Sequence, residues 1–110
     1  MKLTLLERNI LAQLLPTEGH YSDMNEVRKL KSYLTYTSEE MKQFQMEVLP
    51  DGRLNWKDTE DSILYLADIP CTEWITNTIQ TILTNLEQRG QLKEYQMTLY
   101  EKFVKYYNNP

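Results

Sequence analysis

Side chains that carry catalytic chemistry are scarce in this chain. Cys71 is its single cysteine and His20 its single histidine, so no internal disulfide or cysteine zinc cluster can form. A lone histidine also gives metal binding and nucleophile–histidine pairs little to build on. The glycines stand alone at positions 19, 52 and 90, which does not match a phosphate-cradling glycine loop. We therefore expect no enzymatic activity, no cofactor and no metal site.

One acidic cluster is a candidate for binding a metal ion. Asp58, Glu60 and Asp61 carry carboxylates of the kind that bind hard cations. The cluster lacks the ligand spacing and the glycine of a calcium loop. We interpret it as a solvated turn.

Charge is unevenly distributed along the chain. The formal net charge is −4, and the whole acidic excess lies in residues 58–110. A nucleic-acid binder needs a lysine or arginine for each phosphate that it neutralises. The charge distribution therefore favours a protein partner over nucleic acid.

Tyrosine is abundant, with eight residues in the chain. Tyrosines supply the amphipathic aromatic surface that protein interfaces favour. For any one of them, covering an edge of the core is the simpler interpretation. Four tyrosines near helix ends are our candidate partner contacts: Tyr33, Tyr36, Tyr106 and Tyr107.

A helix between Pro70 and Gly90 should organise the fold. Pro70 suits its entry and Gly90 the position just past its end. The segment is rich in β-branched residues, so we expect this helix to depend on tertiary packing. Steps of three and four place its apolar residues on one side: Trp74, Ile75, Ile79, Ile82, Leu83 and Leu86.

Three helices are predicted before residue 44. The first covers Leu3–Leu15, with Thr4 and Glu7 as a capping box. The second runs from about residue 24 to residue 34. The third runs from about residue 38 to residue 43, with Thr37 and Glu40 as another capping box. The apolar residues expected on their inner faces are Leu6, Ile10, Leu11, Leu14, Val27, Leu30 and Leu34.

Residues 44–57 predict a β-hairpin, because apolar and polar residues alternate on both sides of a Pro50-Asp51-Gly52 turn. The expected buried face is formed by Phe44, Met46, Val48, Leu54 and Trp56. Residues 63–69 are interpreted as a third strand that joins the hairpin, with an extra helical turn as the alternative.

A final helix is predicted from Leu92 to Tyr107, followed by a frayed end at residues 108–110. Its expected inner stripe is Tyr95 or Gln96, with Leu99, Phe103 and Tyr107. The whole chain, residues 1–110, is thus predicted to be one α+β domain. Helices at both ends would pack on a small antiparallel sheet.

The order helix, helix, short helix, hairpin is also that of a winged helix. In this alternative the short helix reads DNA, although Glu39 and Glu40 on it would repel phosphate. The nucleic-acid contacts would then be Arg28, Lys29, Lys31, Lys42 and Arg53. A winged-helix-like fold used for protein contacts fits the charge better than a DNA-binding regulator.

No apolar run approaches the length of a membrane span, and no secretory leader is visible. We therefore expect a soluble, cytoplasmic protein that does not act at a membrane.

The first and last helices carry a resemblance. The segments Lys2-Leu-Thr-Leu-Leu-Glu-Arg8 and Leu99-Tyr-Glu-Lys-Phe-Val104 resemble those of small, uncharacterised proteins encoded in bacteriophage and prophage genomes. The resemblance extends to the order of elements and spans most of the chain. It implies no activity and no site residues, but it does imply an accessory gene of a mobile element, acting in a bacterial host.

Small proteins of that kind often bind a host or viral protein, and some inhibit host defence. We therefore expect an accessory protein that acts by protein–protein interaction and inhibits or modulates a host system. Self-association into a homo-oligomer stays open, as does the DNA-binding alternative.

Overall fold

The structure is a computed structural model and describes residues 1–107. Its strands are β1 (Lys2–Leu3), β2 (Glu47–Val48), β3 (Leu54–Asn55) and β4 (Ala67–Asp68). Its helices are α1 (Leu5–Leu14), α2 (Tyr21–Leu34), α3 (Ser38–Gln43), α4 (Glu60–Leu64), α5 (Glu73–Gln88) and α6 (Met97–Tyr100). A 3₁₀ turn (Glu94–Gln96) precedes α6 and a π-helical turn (Glu101–Lys105) follows it; we call these three segments together the C-terminal helix.

The protein has a small α+β fold, as predicted, and residues 1–107 contain two antiparallel sheets of two strands each. Its core is a cluster of buried aliphatic side chains and Phe103, contributed by β1, α1, α2, α5 and the C-terminal helix. Hydrophobic burial of this cluster is the main force that holds the helices together. None of the helices within residues 1–107 combines the length and apolar character needed to cross a bilayer.

Capping boxes start α1 and α3 where the sequence predicted them. The Thr4 hydroxyl accepts a hydrogen bond from the Glu7 N–H at 3.1 Å, and the Glu7 carboxylate accepts one from the Thr4 N–H at 2.9 Å. Thr37 and Glu40 repeat this arrangement with the same two distances. Each box satisfies two backbone donors that a helix start otherwise leaves unpaired.

Helix α5 lies at the centre of the core, as predicted. Ile75, Ile79 and Leu83 are buried almost completely. Gly90 follows the helix with φ of 65°, a left-handed conformation that glycine adopts without the steric cost of a Cβ. Trp74, which we placed on the buried side, is instead exposed.

On α1 the predicted buried face is partly wrong. Ile10 and Leu11 are buried, whereas Leu6 is 53% exposed. Its place on the inner face is taken by Leu5, Glu7 and Arg8. Glu7 and Arg8 are buried because they form ion pairs with Lys102 and Glu40. The helix is therefore rotated from the predicted orientation, and Leu6 faces solvent.

The hairpin is confirmed, with Glu47 opposite Asn55 and Val48 opposite Leu54. Gly52 adopts a positive φ of 87° in the turn between the two strands. The predicted buried face is wrong at Val48, which is 66% exposed. The strands pair over only two residues, so alternation along them does not define one buried face.

The predicted third strand of the hairpin is wrong. Residues 60–64 form α4, which Thr59 and Ser62 cap. Only Ala67–Asp68 is extended, and it pairs with β1 at the other end of the chain instead of with the hairpin. The alternative of an extra helical turn holds for Ile63 and Leu64, the last two residues of α4.

The C-terminal helix is shorter than predicted, from residue 94 to residue 105. Leu99 and Phe103 are fully buried, as expected, and Gln96 rather than Tyr95 faces the core. Tyr107, which we placed on the inner stripe, is exposed. The frayed end predicted for residues 108–110 lies outside the described residues.

Candidate partner-binding groove

A buried ion pair joins α1 to α3. Arg8 and Glu40 are 2% and 5% exposed, and their side chains meet in a two-pronged contact with N···O distances of 2.8 and 3.1 Å. Arg8 also donates to the carbonyl oxygens of Leu34 and Thr35 at 3.3 and 2.9 Å. These bonds satisfy the guanidinium in a place where an unpaired charge would be strongly destabilising.

The protonation of this cluster follows from its contacts. Burial pushes the pKa of Glu40 upward, but hydrogen bonds from Arg8, from the Thr37 backbone and from Tyr65 outweigh it and lower the pKa to about 2. The hydrogen bond to the Glu40 carboxylate raises the pKa of Tyr65. Burial raises the pKa of Tyr36 to about 12. Glu40 is therefore a carboxylate, and both tyrosines are protonated, at neutral pH.

Aromatic rings extend the cluster to the hairpin. The Tyr36 hydroxyl donates to the Leu5 carbonyl at 2.8 Å, and the Arg8 guanidinium lies 4.7 Å from the centre of the Tyr36 ring. Trp56 meets Tyr36 edge to face, with 5.7 Å between ring centres. Such contacts orient aromatic rings, so Trp56 is held close to α1.

A second ion pair joins α1 to the C-terminal helix. The Lys102 ammonium donates to the buried carboxylate of Glu7 and to the carbonyl of Lys2. Burial pushes the pKa of Glu7 upward, yet hydrogen bonds from Lys102, Thr4 and Thr98 lower it overall. Glu7 thus both caps α1 and fixes the last helix against it.

An open groove of about 340 Å³ includes the Glu7–Lys102 ion pair in its lining, and we call it the α1–α4 groove. Its walls include the side chains of Leu6 and Ile63, which are 53% and 57% exposed. Ile10 and Trp56 add apolar surface, and Asp58 lies among the lining residues. The complete lining is Thr4, Leu5, Leu6, Glu7, Ile10, Trp56, Asp58, Ser62, Ile63, Thr98 and Lys102.

The four candidate tyrosines do not form one surface of stacked rings. Tyr33 and Tyr106 are each about half exposed, and Tyr107 is also exposed. Tyr36 is half-buried and engaged with Leu5. The ring–ring pairs within residues 1–107 are Tyr36–Trp56 and Phe44–Tyr65, so no candidate tyrosine stacks on another.

The five candidate nucleic-acid contacts are exposed and only partly brought together. Lys31 and Arg53 line two cavities that share several residues. Arg28 donates to Asn25, and Lys29 lines a different cavity with Tyr33. Lys42 is exposed on α3 and lines neither of the shared cavities.

The remaining candidate groups have structural surroundings. His20 is exposed at the start of α2. Burial raises the pKa of the Cys71 thiol, which disfavours the reactive thiolate. Asp58, Glu60 and Asp61 are exposed around the start of α4. No group of three metal-ligating side chains occurs in the described part of the chain.

Sequence reasoning missed the buried ion pair between α1 and α3 and the exposed groove walls formed by Leu6 and Ile63. Arg8 and Glu40 looked like ordinary charged positions in a first helix and a helix start. One signal for the burial of Arg8 was available, because Leu5, Arg8 and Leu11 follow each other at helical spacing.

Comparisons of the chain with protein-family models, with curated proteins and with solved structures find no match.

Proposed function

We propose that this protein acts by binding another protein and that the α1–α4 groove is the contact site. The observation that carries the proposal is the exposure of Leu6 and Ile63 on the two walls of one groove. Exposed apolar side chains that line a concavity are typical of interaction sites. Covering them would remove apolar surface from water and favour association.

Charge around the groove indicates what kind of segment fits it. Lys102 is engaged by Glu7 and by the Lys2 carbonyl, so its charge is largely neutralised. Asp58 belongs to the lining, and Glu60 and Asp61 are exposed on the adjoining helix α4. A partner segment with apolar anchors and neighbouring basic residues would be complementary to this surface.

The biological setting belongs to the same proposal. The resemblance described above favours an accessory protein of a bacteriophage or prophage that modulates or inhibits a host system in the bacterial cytoplasm. We propose a binding role without catalysis. A second copy of the chain is the other occupant to be tested, and capture of an untagged copy by a tagged one would identify it.

A matched pair of residues on α4 makes the proposal testable. Ile63 lines the groove, whereas the adjacent Leu64 is 67% exposed and does not line it. We expect Ile63→Asp to reduce capture of the partner from bacterial lysate at least about tenfold, and Leu64→Asp to preserve it. Quantitative mass spectrometry of the captured proteins measures both. Equal capture by both variants would contradict the groove as the contact site.

One observation keeps a DNA-binding regulator as the alternative. Glu40 is neutralised inside the protein by Arg8, so Glu39 is the carboxylate that α3 exposes. If α3 reads DNA, a gel shift at low salt will show affinity that falls steeply with added salt. Charge reversal by Lys42→Glu would then abolish it. We expect no shift even at low salt.

A further inference from the structure

A second concavity, distinct in chemistry from the groove, lies between α1 and the hairpin. It has a volume of about 470 Å³, within the usual range for small-molecule sites. We call it the α1–hairpin cavity. Its lining is Asn9, Gln13, Tyr36, Leu49, Gly52, Arg53, Leu54, Asn55 and Trp56.

Two cationic side chains lie at this cavity and its neighbour although the chain as a whole is acidic, and one of them, Arg53, is paired through its Nε with Asp51. Arg53 lines the cavity itself, and an adjoining cavity that shares Asn9, Gln13, Tyr36 and Leu54 adds Lys31. No carboxylate side chain lines either cavity in the part of the chain that the structure describes. In a protein of net charge −4, such a local imbalance favours an anionic ligand.

The guanidinium of Arg53 is positioned and partly free. Its Nε donates to the Asp51 carboxylate at 2.7 Å, and the same carboxylate accepts from the Arg53 N–H at 3.1 Å. Within residues 1–107, neither terminal nitrogen of Arg53 has a hydrogen-bond partner. Those two nitrogens form the planar fork that binds phosphate in two-pronged fashion.

Three side-chain amides surround the cavity. Asn9 and Gln13 lie one turn apart on α1, and Asn55 lies on β3 of the hairpin. No hydrogen bond engages any of these amides within the described residues. Asparagine and glutamine amides can pair with the donor and acceptor on the edge of a nucleobase.

Two aromatic rings complete the cavity. Tyr36 is fixed by its hydrogen bond to Leu5, and its edge-to-face contact holds Trp56. Stacking on such rings recognises planar heterocycles and tolerates different bases. The rings thus suit the face of a nucleobase, the amides suit its edge, and the free guanidinium nitrogens suit a phosphate.

We propose that the α1–hairpin cavity binds a nucleotide. The base stacks on one of the two aromatic rings with its edge toward the amides, and the phosphate lies at Arg53 and Lys31. This inference rests on residues that the proposed partner-binding groove does not use, apart from Trp56. A free nucleoside monophosphate and a nucleotide within a single strand share this chemistry, and the experiment separates them.

Fluorescence of Trp56 reports binding directly. Trp74→Phe leaves Trp56 as the single tryptophan, and Trp74 lines neither cavity. We expect adenosine 5′-monophosphate to change this fluorescence saturably, with a dissociation constant on the order of 1 mM or lower. Adenosine and ribose 5-phosphate should each bind about tenfold or more weakly, because each lacks one recognised part. Equal affinity for the three compounds, or no saturable change up to about 10 mM adenosine 5′-monophosphate, would overturn the proposal.

Matched variants test the assigned residues. Arg53→Gln and Gln13→Leu should each weaken binding about tenfold. Their exposed counterparts at the C-terminal end of α5, Gln88→Leu and Arg89→Gln at the next residue, should leave it unchanged. Thermal melting of each variant confirms that the fold is retained. Binding that is insensitive to both cavity substitutions would place the nucleotide elsewhere and overturn the proposal.

A short single-stranded oligoadenylate identifies the source of the nucleotide. Affinity well above that of the monophosphate, lost in Arg53→Gln, assigns the cavity to a residue of a strand. Affinity no higher than that of the monophosphate assigns it to the free nucleotide. Either result supports a nucleotide site, whereas tighter binding that survives Arg53→Gln contradicts it.

Discussion

At the residue scale, the Arg8–Glu40 pair is the feature on which the surrounding structure depends. Moving two charges out of water is costly, and only good geometry with additional hydrogen bonds compensates for it. Here two N···O contacts and two backbone carbonyls satisfy the guanidinium. The pair therefore specifies how α1 and α3 meet, rather than simply adding attraction.

Removing one partner of this pair should be severely destabilising. We expect Glu40→Gln to lower the free energy of unfolding by about 3–5 kcal/mol, because it leaves the buried Arg8 charge uncompensated. Glu39→Gln, at the exposed neighbouring position, should change it by less than about 0.5 kcal/mol. Urea denaturation measures both.

A double substitution separates the charge from the packing. Arg8→Met combined with Glu40→Leu should be less destabilised than Glu40→Gln alone, since no buried charge is left unpaired. A double variant that is less stable than the single variant would show that the ion pair itself, and not its desolvation, dominates.

The lowered pKa of Glu40 predicts an acid-sensitive fold. Because the folded-state pKa is about 2 against an ordinary value of 4.5, the carboxylate stabilises the fold above pH 4.5. That contribution, about 3 kcal/mol at about 1.4 kcal/mol per pKa unit, is lost as pH falls from about 5 to 2. Unfolding free energies across this range should fall with pH. The fall should be smaller in Glu40→Gln, and an equal slope would contradict the assignment.

At the element scale, local signals predicted well and distant contacts did not. The capping boxes of α1 and α3 and the glycine after α5 depend on residues within a few positions, so sequence located them. The β4 strand depends on β1, more than sixty residues away. The pattern of residues 63–69 showed an extended or helical segment but could not show its partner.

The hydrogen bond between α5 and the C-terminal helix also connects residues that are far apart in sequence. The Gln80 amide donates to the Phe103 carbonyl at 2.8 Å, within the π-helical turn, where the regular ladder of hydrogen bonds is interrupted. We expect Gln80→Leu to lower the free energy of unfolding by about 1 kcal/mol. Gln88→Leu, at the exposed end of α5, should have no such effect in denaturant titrations. A neutral Gln80→Leu would show that this bond does not stabilise the turn.

At the scale of the whole molecule, the candidate sites arise from elements that are far apart in sequence. The α1–α4 groove combines α1, Trp56, α4 and the C-terminal helix. Composition predicted a protein partner through exposed tyrosines, but it could not reveal that Leu6 and Ile63 share a groove. The spacing of the apolar residues wrongly assigned Leu6 to the core. It could not show that Glu7 and Arg8 are buried and rotate α1, because their burial depends on Lys102 and Glu40, which are distant in sequence.

Photo-crosslinking in bacterial cells tests the central claim most directly. A photoreactive phenylalanine derivative replaces Ile63 in one variant and its exposed neighbour Leu64 in the other. We predict a covalent adduct with a partner protein at position 63, identified by mass spectrometry, and little or none at position 64. Adducts of equal yield at both positions, or an adduct at position 64 alone, would contradict binding through the α1–α4 groove.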